Sequence, residues 1–166
     1  MAITTESVRR SFKKPIERVA CRAFLSADQD NLTSSAWVKV LLASVTYDLG
    51  SNFDITTNNR FIVPVSGLYH VTGKVYFTAA SVQADKNYFV AIYKNGVAVV
   101  QANTHASYVE ALSVEVNDEI YLEETNYIEL YTQTTGTGDS VDVDGDANGL
   151  RTSMVIRLIT KEGIRQ

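Results

Sequence analysis

The residue spacing with the most chemical content lies near the C-terminal end, in Asp142-Val143-Asp144-Gly145-Asp146-Ala147-Asn148-Gly149. From Asp144 it runs Asp-x-Asp-x-Asn-Gly, the first half of a helix-flanked calcium loop. Alternating oxygen ligands around a glycine suit a hard cation. Asp144, Asp146 and Asn148 are the candidate ligands, and Ca2+ is the metal they would take. The twelfth position is Val155 where such loops carry a bidentate Glu, so further oxygens would have to come from Asp139 or a neighbouring subunit. The competing reading is a turn in which Asp and Asn side chains bond their own backbone, with no cofactor required.

Other chemistry finds little footing. The chain has no Gly-x-Ser-x-Gly elbow, phosphate-cradling glycine loop or His-Glu-x-x-His pair. His70 and His105 stand alone, and two distant histidines do not make the His-rich metal cluster of a jelly-roll enzyme. Glu123-Glu124 reads as a solvated turn. The expectation is a protein that is not an enzyme, with no catalytic residues.

Charge divides the chain. Residues 1–22 hold Arg9, Arg10, Lys13, Lys14, Arg18 and Arg22 against Glu6 and Glu17, a net of +4 within an overall −4. The rest therefore carries −8. A basic arm (1–18) precedes an acidic body, and Arg9, Arg10, Lys13 and Lys14 read as a docking arm for an acidic protein surface. Nucleic acid is not the expected partner, because the arm lacks interleaved aromatics beyond Phe12 and the body repels phosphate. No apolar run reaches the ~18 residues of a membrane span. The start, MAITTESVRRSFKK, shows no apolar signal segment, and Cys21 is the only cysteine. Synthesis and folding in a reducing cytosol are expected, with Cys21 a small buried hydrophobe.

From residue 19 onward the apolar residues alternate with period two between turn residues, the pattern of a sandwich or barrel. Leu68–Phe77 alternates cleanly, with Tyr69, Val71, Gly73, Val75 and Phe77 on one face. Asn87–Tyr93 and Val97–Gln101 flank Lys94-Asn95-Gly96, a strong hairpin signal. Further strands are expected at Trp37–Leu42, Arg60–Val63, Ser107–Val116, Glu119–Leu122, Tyr127–Thr132 and Thr152–Thr160. Polar loops are expected at Ala79–Asp85, Gln101–Ser107 and Thr134–Gly149, and Tyr76 and Tyr88 opposite the core-facing sets. Helix is confined to one turn of the arm, where Thr5 precedes Val8 and Phe12.

Residues 53–69, FDITTNNRFIVPVSGLY, resemble the signature of C1q-like globular heads: an aromatic-Asp turn, a polar loop, Arg-Phe, Pro and Gly-Leu-Tyr. Ala36-Trp37-Val38-Lys39-Val40 before Tyr47-Asp48, Lys94-Asn95-Gly96 and Tyr127-Ile128-Glu129-Leu130-Tyr131 extend the likeness over about residues 19–160, in a pattern similar to bacterial and bacteriophage members. Thr125-Asn126 stands where the family has Gly-Asp, and Met154, Ile156 and Arg157 stand where aromatics and Gly are usual. The C1q/tumour-necrosis-factor resemblance implies an all-β, ten-stranded antiparallel jelly-roll sandwich at 19–160, an irregular N-terminal arm and a tail at 161–166. It also implies a homotrimer. Phe53, Phe61, Gly67, Tyr69, Asn95 and Gly96 are the fold and trimer anchors: Phe61 and Tyr69 fill the core, Pro64 stops strand pairing, and Gly67 permits a tight turn.

Two functions follow as expectations. One is a bacteriophage virion component, such as a head decoration, head fibre or tail binding protein, partnered by itself and by capsid or other virion proteins. The other is an extracellular or cell-surface adhesion domain of cellular origin that takes a glycan or protein ligand through its loops.

Overall fold

A computed structural model describes residues 18–136 and 140–162. Thirteen strands occur among them: β1 Ala20–Phe24, β2 Gln29–Thr33, β3 Val38–Lys39, β4 Ser44–Leu49, β5 Phe53–Asp54, β6 Arg60–Ile62, β7 Gly67–Phe77, β8 Lys86–Lys94, β9 Val97–Ala106, β10 Leu112–Leu122, β11 Tyr127–Thr134, β12 Ser140–Val143 and β13 Ser153–Lys161. No helix occurs among the described residues. Eleven of these strands build two antiparallel sheets. The first runs β10-β7-β13-β1-β4 and the second β5-β6-β11-β8-β9, with β3 also on β11, while β12 pairs with β2. The expected all-β antiparallel jelly-roll sandwich is what the chain forms, with eleven strands in its two layers where ten were expected. The helical turn expected at Thr5–Phe12 falls outside the described residues.

The alternation in β7 sets the core. Tyr69, Val71, Val75 and Phe77 are fully buried, and between them Leu68, His70, Thr72, Lys74 and Tyr76 face outward and are only half-buried. From the second sheet Val90, Ile92, Ile128 and Leu130 meet them, also fully buried. A pleated strand sends alternate side chains to opposite faces, so one apolar parity per strand suffices for a two-layer core. The β8–β9 hairpin turns on Asn95 and Gly96, at φ 51° and 81°. That is the pair of left-handed residues a two-residue hairpin needs. The Asn95 side chain also accepts the Tyr127 N–H at 2.8 Å, tying the turn to β11.

Several strand limits differ from expectation. Ser107–Val116 and Glu119–Leu122 fuse into one strand, β10, which starts only at Leu112 and pairs with β7 through Asn117-Asp118. β9 runs on to Ala106 and absorbs most of the expected loop Gln101–Ser107. β3 is only two residues of Trp37–Leu42. The expected loop Thr134–Gly149 contains β12. Tyr88 is not on an outer face: it is buried, edge-on to Phe77 at 4.9 Å. Its hydroxyl accepts the Gln83 N–H at 2.8 Å and donates to the Ser81 carbonyl at 3.2 Å, which satisfies the polar tip inside the core.

Candidate binding surfaces

The Asp-rich loop folds as a self-bonded turn. The Asp146 carboxylate accepts the N–H groups of Asn148 at 2.8 Å, Leu150 at 2.5 Å and Arg151 at 2.9 Å. Burial alone would raise the Asp146 carboxyl, but these N–H donors outweigh it and hold the group below the ordinary carboxylate range. Asp144 is buried and ion-paired to Arg151, whose guanidinium also lies 5.3 Å from the centre of the Tyr76 ring. Burial, then a hydrogen bond with Asp28, push the Asp144 carboxyl up, against the pull of Arg151. Gly149 closes the turn at φ 68°, and Asn148 is exposed. Among the described residues no three His, Cys, Asp or Glu side chains are grouped to share a metal ion. Asp139 and the docking-arm residues Arg9, Arg10, Lys13 and Lys14 lie outside the described residues.

The anchors of residues 53–69 cooperate in one corner. Phe53 pairs with Phe61 across β5 and β6, and Phe61 meets Tyr69 edge-on at 6.4 Å, with the Tyr69 hydroxyl donating to the Val65 carbonyl at 2.6 Å. The Asp54 carboxylate accepts the N–H groups of Thr56 (3.1 Å), Thr57 (2.9 Å) and Asn58 (3.1 Å), and the Asn58 amide at 2.8 Å. The Thr57 N–H, then the Asn58 side chain, hold Asp54 well below its usual value. Gly67 does not turn the chain: it opens β7, and its glycine is required by contact. A Cβ there would stand 2.3 Å from the Thr160 carbonyl oxygen and 2.8 Å from Leu158 Cδ1.

The outer face of the first sheet carries ordered rows. Glu119, His70, Arg157, Ala20 and Leu49 lie side by side across its five strands, and the next row is Asn117, Thr72, Val155, Arg22 and Tyr47. Acids therefore line the β10 edge, Arg157 and Arg22 the middle strands, and exposed Tyr47 and Leu49 the β4 edge. Lys74 and Arg22 are partly spent on the Leu150 and Gly149 carbonyls.

No family model and no curated protein matches the sequence. Solved structures do. Eiger TNF from S. frugiperda superposes with a TM-score of 0.65 at 10% identity, over 90% of this chain and 98% of that one. The globular domain of zebrafish complement 1qA protein gives 0.64 at 14% identity, over 88% and 100%. Murine APRIL gives 0.61 at 10% identity, over 86% and 99%. The fold is C1q/TNF-like.

On this C1q/TNF-like frame the second sheet has a feature the sequence reading missed. Its outer face bears a ring cluster. Trp37, from the β2–β3 connection, meets Phe89 at 6.2 Å and Tyr93 at 6.0 Å, both edge-on, and Tyr93 stacks on Tyr131 at 4.0 Å. Ala91 lies between Phe89 and Tyr93 on that same outward parity, yet it is fully buried. A small residue there leaves room for the indole that spans its two neighbours. Beside the rings, Lys39 and Glu129 pair at 2.5 Å, and Arg60 lies 4.2 Å over the Tyr127 ring. The signal was present in the second parity of NYFVAIY and YIELY, but a strand apolar on both faces reads simply as buried.

Proposed function

We propose that the protein is a non-enzymatic homotrimeric structural and binding module, most consistent with a bacteriophage virion component (head decoration, head fibre or tail binding protein) that docks on capsid or another virion protein through its basic arm. The observation that carries the trimer is the outer face of the first sheet. Its acidic β10 edge complements the Arg157–Arg22 stripe, and its exposed Tyr47 and Leu49 are apolar surface that a neighbouring edge would cover. An edge-on-face contact is heterologous, and three copies close it into a ring. The charge split of +4 over residues 1–22 against −8 beyond supports docking by the arm. The disulfide-free core, with Cys21 buried, supports folding in a host cytoplasm before assembly into the virion. No cofactor is required in this reading.

A soluble adhesion domain is the second reading, favoured by the ring cluster on the opposite face. Deleting residues 1–18 separates the two. In the virion reading the shortened chain stays trimeric and loses its affinity for phage particles in co-sedimentation. Particle binding that survives the deletion, or that was absent in the full chain, contradicts that reading.

A further inference from the structure

The outer face of the second sheet, on the side away from the proposed trimer contact, carries the aromatic cluster. Trp37, Phe89, Tyr93 and Tyr131 brace one another edge-on and stacked, so the cluster is held before any ligand arrives. Exposed amides border it. Gln101 is the register partner of Ala91, and Asn103 of Phe89, so on β9 Asn103 stands one strand spacing from a ring and Gln101 stands opposite the alanine between Phe89 and Tyr93. We propose that this face binds a neutral oligosaccharide, the C–H face of a pyranose lying on the Trp37–Tyr93–Tyr131 cluster and its hydroxyls bonding Gln101 and Asn103.

Three observations select that ligand. The Lys39–Glu129 pair cancels its own charge within the patch, and the surrounding body is acidic, which disfavours polyanionic glycans. The rings are half-buried, so each shows only part of its surface, with exposed Ile62 and Val99 on strands to either side. A sugar needs only one ring's width of apolar surface together with planar amides that donate and accept, and the site offers both. The inference stands independently of the trimer and of the virion.

Trp37 is the only tryptophan, so its fluorescence reports on this face alone. The full chain is titrated with cellohexaose and chitohexaose, neutral β1,4-linked chains, and with heparin hexasaccharide as the anionic arm. A saturable change in emission with at least one neutral sugar is expected, weakened about tenfold by Gln101→Ala with Asn103→Ala, two exposed positions whose loss leaves the core intact. Tyr131→Ala is expected to weaken it further, with the fold checked by circular dichroism. No saturable change up to about 10 mM, undiminished binding in the amide variant, or heparin binding at least as tight would overturn the proposal. So would an emission change that follows protein concentration alone, the sign of a second copy covering the face. Mass measured on the same samples reports separately on the trimer.

Discussion

At the scale of single residues, the Asp54 and Asp146 carboxylates act as turn caps. Asp146 gathers three backbone N–H groups and Asp144 an arginine, so the loop closes with its oxygens already engaged. We expect the melting temperature to be the same in EDTA and in millimolar Ca2+. A drop with chelator that calcium reverses would restore Asp144, Asp146 and Asn148 as ligands, since a bound ion stabilises the fold in proportion to its occupancy. Asp54 supplies a pH dependence. Its folded carboxyl titrates below the ordinary 3.8, so its stabilisation is complete above that pH and is lost as pH falls through the folded value. Asp54→Ala is expected to lower the melting temperature at pH 7 and to flatten its fall below pH 4, as read by thermal melts across pH. Equal acid slopes in both proteins would remove Asp54 from that account. Cys21 is inert for a different reason: burial, then the nearby Asp48 charge, push its thiol up to about 12.

At the scale of elements, close contact explains what turn chemistry does not. The resemblance marks Gly67 as special, but the reason lies in β13, 91 positions further on at Leu158, and no local pattern could expose it. Gly67→Ala is expected to cost roughly 1–3 kcal/mol, because the obstructing atom is backbone oxygen. Gly73→Ala meets a methyl of the Leu130 side chain and no backbone atom, and is expected to cost less. Urea unfolding of the two variants checks the order, and a reversal would show that β13 yields at that point. The hairpin at Asn95-Gly96 was legible because its determinants are adjacent in sequence. The long β9 and β10 were not, because Gln101, Asn103, Thr104, His105 and Asn117-Asp118 are polar residues held in strand by partners on β8 and β7. Tyr88 was misplaced for the same kind of reason: its hydroxyl finds the 81–83 loop, a partnership between residues that alternation does not register.

At the scale of the whole molecule, the proposed trimer contact and the proposed ligand site fall on opposite outer faces. The fold class was legible because alternation and the 53–69 signature are distributed over the chain. The faces were not, since rows such as Glu119-His70-Arg157-Ala20-Leu49 assemble only through strand order. If acids of one copy meet arginines of the next, Glu119→Arg and Arg157→Glu each set like charges together, at a cost of several kcal/mol per contact. Each single variant is expected to dissociate at concentrations where the parent is whole, and the double variant to reassemble. Double-variant chains no better associated than the singles would place the contact elsewhere. The most direct measurement is the mass of the unaltered chain by multi-angle light scattering at micromolar concentration. Three times the 18.3 kDa of one chain is the predicted value; a stable species of 18.3 kDa would contradict the account.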